Sequence, residues 1–485
     1  MPESPVYRLP TEILSDVLLW TLPLSSSVLE ESIDEADIPT FSAALSYPSF
    51  RVFDITKGPW PFTHVCKRWR ETSISLPLLW CSFYVGTPPE GAVHLLSTCL
   101  SRSASLPLIF TVKADDICDY GDSQGILGLL NSESDRWFAI QIINSSFSFW
   151  RDLAGPGSGV IGPLSFLKEI GFVSTTPNNF DNHDTLEITM PRLFDMFARG
   201  RTPKLDSVIN YDSYNLSSFN LRWSQIVTYD GAHLVAPHEH FRVMRLAPSL
   251  TRCSLVFETE EYDIRVPHGK PLTLSHLRIL RTEWFFYSED HICPALLDLT
   301  LPALRELSIV ARPHSSPPFG TFASILRASG CPLQYLELSG VVSGDPIKVI
   351  RSLLEAASTI SHLRIWINTP IRETVLPLLN VQKFGPLVPR LRCLDLAQEE
   401  ARDVWSLNMP VLADTVRTRL ESRRPEGYED DVVTLHTVRF ALNTKDRIRL
   451  PAGIPPILEV LQGEGLNVAV CRTSDEWRSS SPALF

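Results

Sequence analysis

The sequence of 485 residues contains no closely spaced pair of cysteines. Its nine cysteines, Cys66, Cys81, Cys99, Cys118, Cys253, Cys293, Cys331, Cys393 and Cys471, are odd in number and make no C-x-x-C unit. This excludes zinc-ribbon and dithiol redox patterns and leads us to expect buried free thiols in a reducing compartment. An excess of positive charge is also missing, since 44 Lys and Arg stand against 55 Asp and Glu for a net charge of −11. A nucleic-acid-coating protein needs clustered cations to displace counterions, so no nucleic acid is expected as a partner. Long apolar runs are lacking too. The longest uncharged stretch, residues 72–89, holds three prolines and would leave backbone groups unpaired in a bilayer, so no membrane partner is expected. The opening MPESPVYRLPTEIL has acids and prolines where a secretion signal needs basic residues and an apolar run, so a cytoplasmic or nuclear location is expected. What is present is 44% hydrophobic residues with 20% charged, enough to bury a large core. Thirty-eight prolines exclude a coiled coil or a bundle of long helices. The length corresponds to roughly three domains or one extended array.

Along the chain, residues 9–22 (LPTEILSDVLLWTL) place Ile13, Leu14, Val17, Leu18 and Trp20 on one side of a helix and Glu12, Ser15 and Asp16 on the other. Pro10 and Thr11 are helix-start signals. Residues 24–59 interrupt the pattern with serines, prolines and unbalanced acids, which reads as a surface insertion. Helical spacing resumes in WPFTHVCKRWRETSIS, where Phe62, Val65, Cys66, Trp69 and Ser73 share a narrow face. A turn at Pro77, Leu78, Leu79 and Trp80 closes this unit near Val85, and GTPPEG follows as a linker.

The order LPTEIL, VCKRWRE, LPLLW resembles the F-box, a small three-helix module with a Leu-Pro start, a central Val-Cys-x-x-Trp-Arg and a closing Pro-x-Leu-Trp. The resemblance covers residues 9–83, with an insertion longer than the usual F-box spacer, and HLLSTCLSRSASLPLIFTV continues it in the manner of fungal F-box-like proteins, as a helix followed by a strand. It implies docking of a Skp-family adaptor through Leu9, Pro10, Ile13, Leu14, Val65, Trp69 and Trp80, some of which must also form the module's own core.

Beyond the module a degenerate L-x-x-L-x-L recurs. It is found at Leu250/Cys253/Leu255, Leu277/Leu280/Thr282, Leu304/Leu307/Ile309, Leu333/Leu336/Leu338, Ile360/Leu363/Ile365 and Leu391/Leu394/Leu396. The starts advance by 27, 27, 29, 27 and 31 residues, the period of leucine-rich repeats. Weaker copies begin at Leu167, Leu205 and Leu435. Such spacing points alternate apolar residues inward from short parallel strands, while residues 322–327 and 347–357 have helical spacing suited to the return path. The turn Asn of a regular repeat occurs once, as Asn368, so the array is expected to be irregular.

Catalytic and cofactor motifs are weak. The glycines of GSGVIG at residues 157–162 do not follow a strand directly, so they read as a loop rather than a dinucleotide site. His233, His238 and His240 have no completing ligand downstream and read as a surface loop. Asp115, Asp116, Asp119 and Asp122 do not fit a calcium loop and read as a solvated turn. No cofactor, metal or catalytic residue is therefore expected.

The sequence reads as an α/β chain: a helical F-box-like module at 1–85, an irregular leucine-rich-repeat, solenoid-like domain at 86–471, and a tail at 472–485. The resemblance implies a non-catalytic substrate receptor of a Skp-cullin-F-box ubiquitin ligase, which holds a protein substrate near the ubiquitin-charged enzyme and raises its effective concentration. The alternative is a leucine-rich protein-binding module acting outside a ligase.

Overall fold

The computed structural model describes residues 9–22, 49–118, 121, 123–144, 147–153, 162–174, 194–198, 200–211, 216–231, 237–258, 271–285, 296–311, 315–342, 344–366, 371–385, 387–398, 409–421, 435–442, 462–463 and 466–471. The chain is mixed α/β and divides into two compact units, Met1–Ala247 and Pro248–Phe485.

The first unit opens with helix α1 (Thr11–Trp20), the short strand β1 (Phe50–Arg51), and helices α2 (Phe62–Val65) and α3 (Lys67–Ile74). The continuous helix expected after Trp60 is in fact two helices. Extended backbone at Cys66 separates them and turns Val65 outward. A 3-10 turn at Pro77–Leu79 then leads into β2 (Ser82–Val85), α4 (Ala92–Arg102) and β3 (Leu108–Lys113). Next come α5 (Ala114–Cys118), α6 (Ser123–Ser132), β4 (Trp137–Ile143), α7 (Phe147–Leu153), β5 (Glu169–Val173), β6 (Ser207–Tyr211), β7 (Thr228–Gly231) and α8 (Pro237–Leu246). Strands β1 to β7 pair in parallel, each with its successor in the chain. The expected boundary at residue 85 falls between β2 and β3, which are hydrogen-bonded neighbours, and β1 lies inside the expected insertion.

The same rule orders the second unit. Its strands are β8 (Arg252–Glu258), β9 (Leu272–Thr273), β10 (Ile279–Phe285), β11 (Leu299–Thr300), β12 (Glu306–Ala311), β13 (Tyr335–Leu338), β14 (His362–Trp366), β15 (Cys393–Gln398), β16 (Thr437–Leu442) and β17 (Asn467–Cys471). Strands β9 and β11 form a separate parallel pair, and all the others join one parallel sheet in chain order. Helices α9 (Phe319–Ser329), α10 (Pro346–Ala356), α11 (Ile371–Leu378), α12 (Val381–Phe384) and α13 (Met409–Glu421) lie between the strands in the chain. Local chemistry sets their ends. Asp345 caps α10 by accepting from the Lys348 amide at 3.3 Å, Pro346 occupies its first turn, and α9 stops where Gly330 takes a left-handed φ of 56°.

The register explains the recurring leucines. Cys253, Leu280, Leu307, Leu336, Leu363, Leu394 and Val438 are successive cross-strand partners, and so are Leu255, Thr282, Ile309, Leu338, Ile365 and Leu396. All of them are buried, as are the leading residues Leu250, Leu277, Leu304, Leu333, Ile360, Leu391 and Leu435. In the first unit Phe50, Phe83, Phe110, Ile140, Ile170, Val208 and Tyr229 form the equivalent ladder. The tail at 472–485 and Asn368 lie outside the described residues.

Candidate docking surfaces

The N-terminal helices gather around Trp80, whose ring is completely buried. Trp60 meets it edge-on with centroids 4.9 Å apart, and Phe50 does so at 6.0 Å. Burying two indoles requires partners for their N–H groups, and both find backbone carbonyls. Trp80 Nε1 donates to Ser73 at 2.8 Å, and Trp60 Nε1 donates to Val52 at 3.1 Å.

Helix α1 rests on α3 and on the Pro77–Leu79 turn, with Leu14 and Leu18 fully buried. The single apolar side expected for this helix is therefore split in two. Ile13, Val17 and Trp20, spaced four and three residues apart, run along the solvent side, with Ile13 47% and Trp20 88% exposed. Leu78, on the turn that α1 packs against, is also exposed, as is Val65 at 59%. Of the remaining expected docking residues, Pro10 is exposed and Leu9 is half-buried, its carbonyl accepting from the Arg68 guanidinium. Leu14 and Trp80 are core residues. Trp69 is half-buried, edge-on to Phe62, with its indole nitrogen covered. Of the expected docking residues, Pro10, Ile13 and Val65 are thus exposed, and Val17, Trp20 and Leu78, which were not among the expected contacts, are exposed as well. Helical periodicity alone could not have divided the apolar residues of α1 into two stripes, because the mean pattern is the same for a core side and a docking side.

The second unit has a polar counterpart on the sheet face opposite the leucine ladder. Successive partners there are Arg281, Ser308, Glu337, Arg364, Asp395 and Arg439. Glu337 accepts from Ser308 Oγ at 2.7 Å and Trp366 Nε1 at 2.8 Å, and pairs with Arg364 Nε at 3.3 Å. Burial works to raise the Glu337 carboxyl, but Arg364, Ser308, Arg281 and Trp366 more than offset it and hold the group below the ordinary carboxylate range. Asp395, completely buried, accepts from Arg439 Nε at 2.8 Å and from the Cys393 thiol at 3.3 Å, and it also meets His362 Nε2. Burial, with the Asp395 charge added to it, pushes the Cys393 thiol up to about 12.

Several other sequence candidates fall differently from expectation. His238, Glu239 and His240 are not in a loop but on α8, where His240 is completely buried with Nδ1 3.0 Å from the Tyr229 hydroxyl. Glu239 is buried too and accepts from the Ser217 amide at 2.6 Å, so a buried polar contact replaces the expected solvated one. Asp115 and Asp116 lie on α5, where Asp116 pairs with Lys113 at 2.8 Å. His233, Asp119, Asp122 and residues 157–161 lie outside the described residues. A cavity of about 510 Å³ opens at the C-terminal ends of β1 to β3, lined by Arg51, Asp54, Tyr84, Lys113 and Asp116. Its acids are engaged locally: Asp54 accepts from Thr56, and Asp116 from Lys113 and Thr87.

No helix among the described residues is long and apolar enough to cross a membrane. The sequence matches no protein-family model and no curated protein.

Proposed function

We propose that this chain is a non-catalytic substrate receptor of a Skp-cullin-F-box ubiquitin ligase. In this reading α1, α2 and α3 form an F-box-like module that docks a Skp-family adaptor, and the sheet-bearing remainder is an irregular leucine-rich-repeat solenoid that holds a protein substrate. The observation that carries the reading is the exposed stripe of Ile13, Val17 and Trp20 on a helix whose other side is locked into the core by Leu14 and Leu18. Large apolar side chains in that arrangement gain free energy only when a partner covers them, and each fully covered one contributes roughly 1.5 to 3 kcal/mol. Support for the repeat reading comes from parallel pairing in chain order and from leucines that recur as direct cross-strand partners. Such a receptor needs no acid, base or metal of its own for ubiquitin transfer, because it works by raising effective concentration.

Co-expression with a Skp-family adaptor followed by gel filtration tests the proposal. Wild type is expected to co-elute with the adaptor. An Ile13→Asp, Val17→Asp double variant, altered only at exposed positions, is expected to keep its circular dichroism spectrum and lose the adaptor. A folded wild type that elutes alone overturns the reading.

A further inference from the structure

His362 and Cys393 are direct cross-strand partners on β14 and β15, and Asp395 lies two residues beyond Cys393 on the same face of β15. One ligand atom from each, the imidazole nitrogen, the thiol sulfur and a carboxylate oxygen, all lie within 4.8 Å of one another. His362 and Cys393 are half-buried, so the cluster is reached from solvent, while Asp395 anchors its floor.

Asp395 gathers the donors of this cluster. Its Oδ2 faces His362 Nε2 and accepts from Arg439 Nη2 at 3.3 Å, and its Oδ1 accepts from Arg439 Nε at 2.8 Å and from the Cys393 thiol at 3.3 Å. The imidazole N–H and the thiol S–H therefore point at one carboxylate, and the guanidinium supplies the positive charge beside it. A metal ion would take the place of those two protons and accept the lone pairs of all three side chains at once.

We propose that His362, Cys393 and Asp395 form a binding site for a divalent cation of the zinc class, with Arg439 as its built-in competitor. The donor set is one imidazole, one thiolate and one carboxylate, which suits zinc better than magnesium or calcium. Donors held by bonds of roughly 2.0 to 2.3 Å to one ion stand about 3 to 4 Å apart, so modest rotamer adjustment closes the present cluster onto it. On binding, metal–nitrogen, metal–sulfur and metal–oxygen bonds form, the thiol proton leaves to solvent, and the guanidinium of Arg439 gives up Asp395. Water completes the open fourth position. The released guanidinium then stands on this sheet face without the carboxylate it pairs with before binding. The site is independent of the adaptor-docking proposal.

The test uses the full chain, treated with chelator and titrated with Co²⁺ as a spectroscopic probe. Wild type is expected to develop a thiolate-to-cobalt charge-transfer band that saturates at one equivalent. Cys393→Ser is expected to lose that band, and Arg439→Gln to bind at least tenfold more tightly. As a readout that needs no variant, Zn²⁺ is expected to protect Cys393 of the wild type from alkylation, read by peptide mass spectrometry. Absence of both the band and the protection overturns the site. A band that survives in Cys393→Ser assigns the metal to another cysteine, and equal affinity in Arg439→Gln removes the competition; either result also overturns the proposal.

Discussion

The guanidinium carbon of Arg102 sits 4.5 Å from the centroid of the Trp80 ring. It lies 5.4 Å from Trp60 as well, so one α4 side chain covers both tryptophans of the N-terminal core. Burial lowers the pKa of this guanidinium, a cost that the two ring faces help to offset. Arg102→Ala is expected to destabilise the protein by about 1 to 2 kcal/mol, whereas Trp80→Ala is expected to cost about 3 to 5 kcal/mol. Urea denaturation followed by far-ultraviolet circular dichroism checks both values and their order.

Trp20 gives the opposite profile. At 88% exposure it supports little of the fold, so Trp20→Ala is expected to leave the denaturation midpoint unchanged. If α1 docks an adaptor as proposed, the same change is expected to weaken binding by about 2 kcal/mol, the scale of an interface hot spot. Calorimetric titration of wild type and variant with the adaptor measures the difference.

Glu337 predicts a pH dependence. Its folded pKa is depressed below the 4.5 of an ordinary glutamate, so the folded state holds the charged form better than the unfolded chain does. The stabilisation is therefore fully present above about pH 4.5. It is lost as pH falls through the folded value. The stability gap between wild type and Glu337→Gln is expected to be constant near neutrality and to shrink on acidification below that point. Denaturant midpoints at a series of pH values check the sign.

Arg419 is almost completely buried on α13 and donates to the carbonyls of Leu379 at 3.0 Å and Val388 at 3.2 Å. Burial lowers its pKa to about 10, and among the described residues it has no carboxylate partner. Arg419→Ala removes the donor from two buried carbonyls and opens a void, and is expected to cost about 2 to 5 kcal/mol. Amide hydrogen exchange is expected to quicken around α11 and α13 while the first unit is unaffected.

The second unit was the more readable half of the sequence because its core positions are leucine and isoleucine at nearly constant spacing. The repeat points Leu307, Leu336, Leu363 and Leu394 inward from short strands, and they are successive partners in the sheet. Helices α9 and α10 fall where apolar spacing put them. In the first unit the same ladder was hidden by residue type. Trp80/Phe83/Val85 and Trp137/Ile140/Ile142 keep the spacing with aromatic and β-branched residues in place of leucine, and Ile226/Tyr229 keeps its first two places before Gly231 takes the third. The polar row is aligned by the same repeat, since Arg281, Ser308, Glu337, Arg364, Asp395 and Arg439 each follow the central ladder residue by one position. What the spacing does not encode is which of these side chains bond to one another: Arg439 meets His362 across 77 residues through the choice of rotamer, not of register.

Pairing in chain order also gives the fold a direction. Within each unit, every described strand of the main sheet after the first joins one made shortly before it, so a chain emerging from the ribosome at roughly 5 to 20 residues per second presents each new strand to an edge that already exists. Among the described strands of each unit, none waits for a distant partner. The growing edge moves forward with synthesis, and the newest strand needs shielding from other chains only until the next one is made.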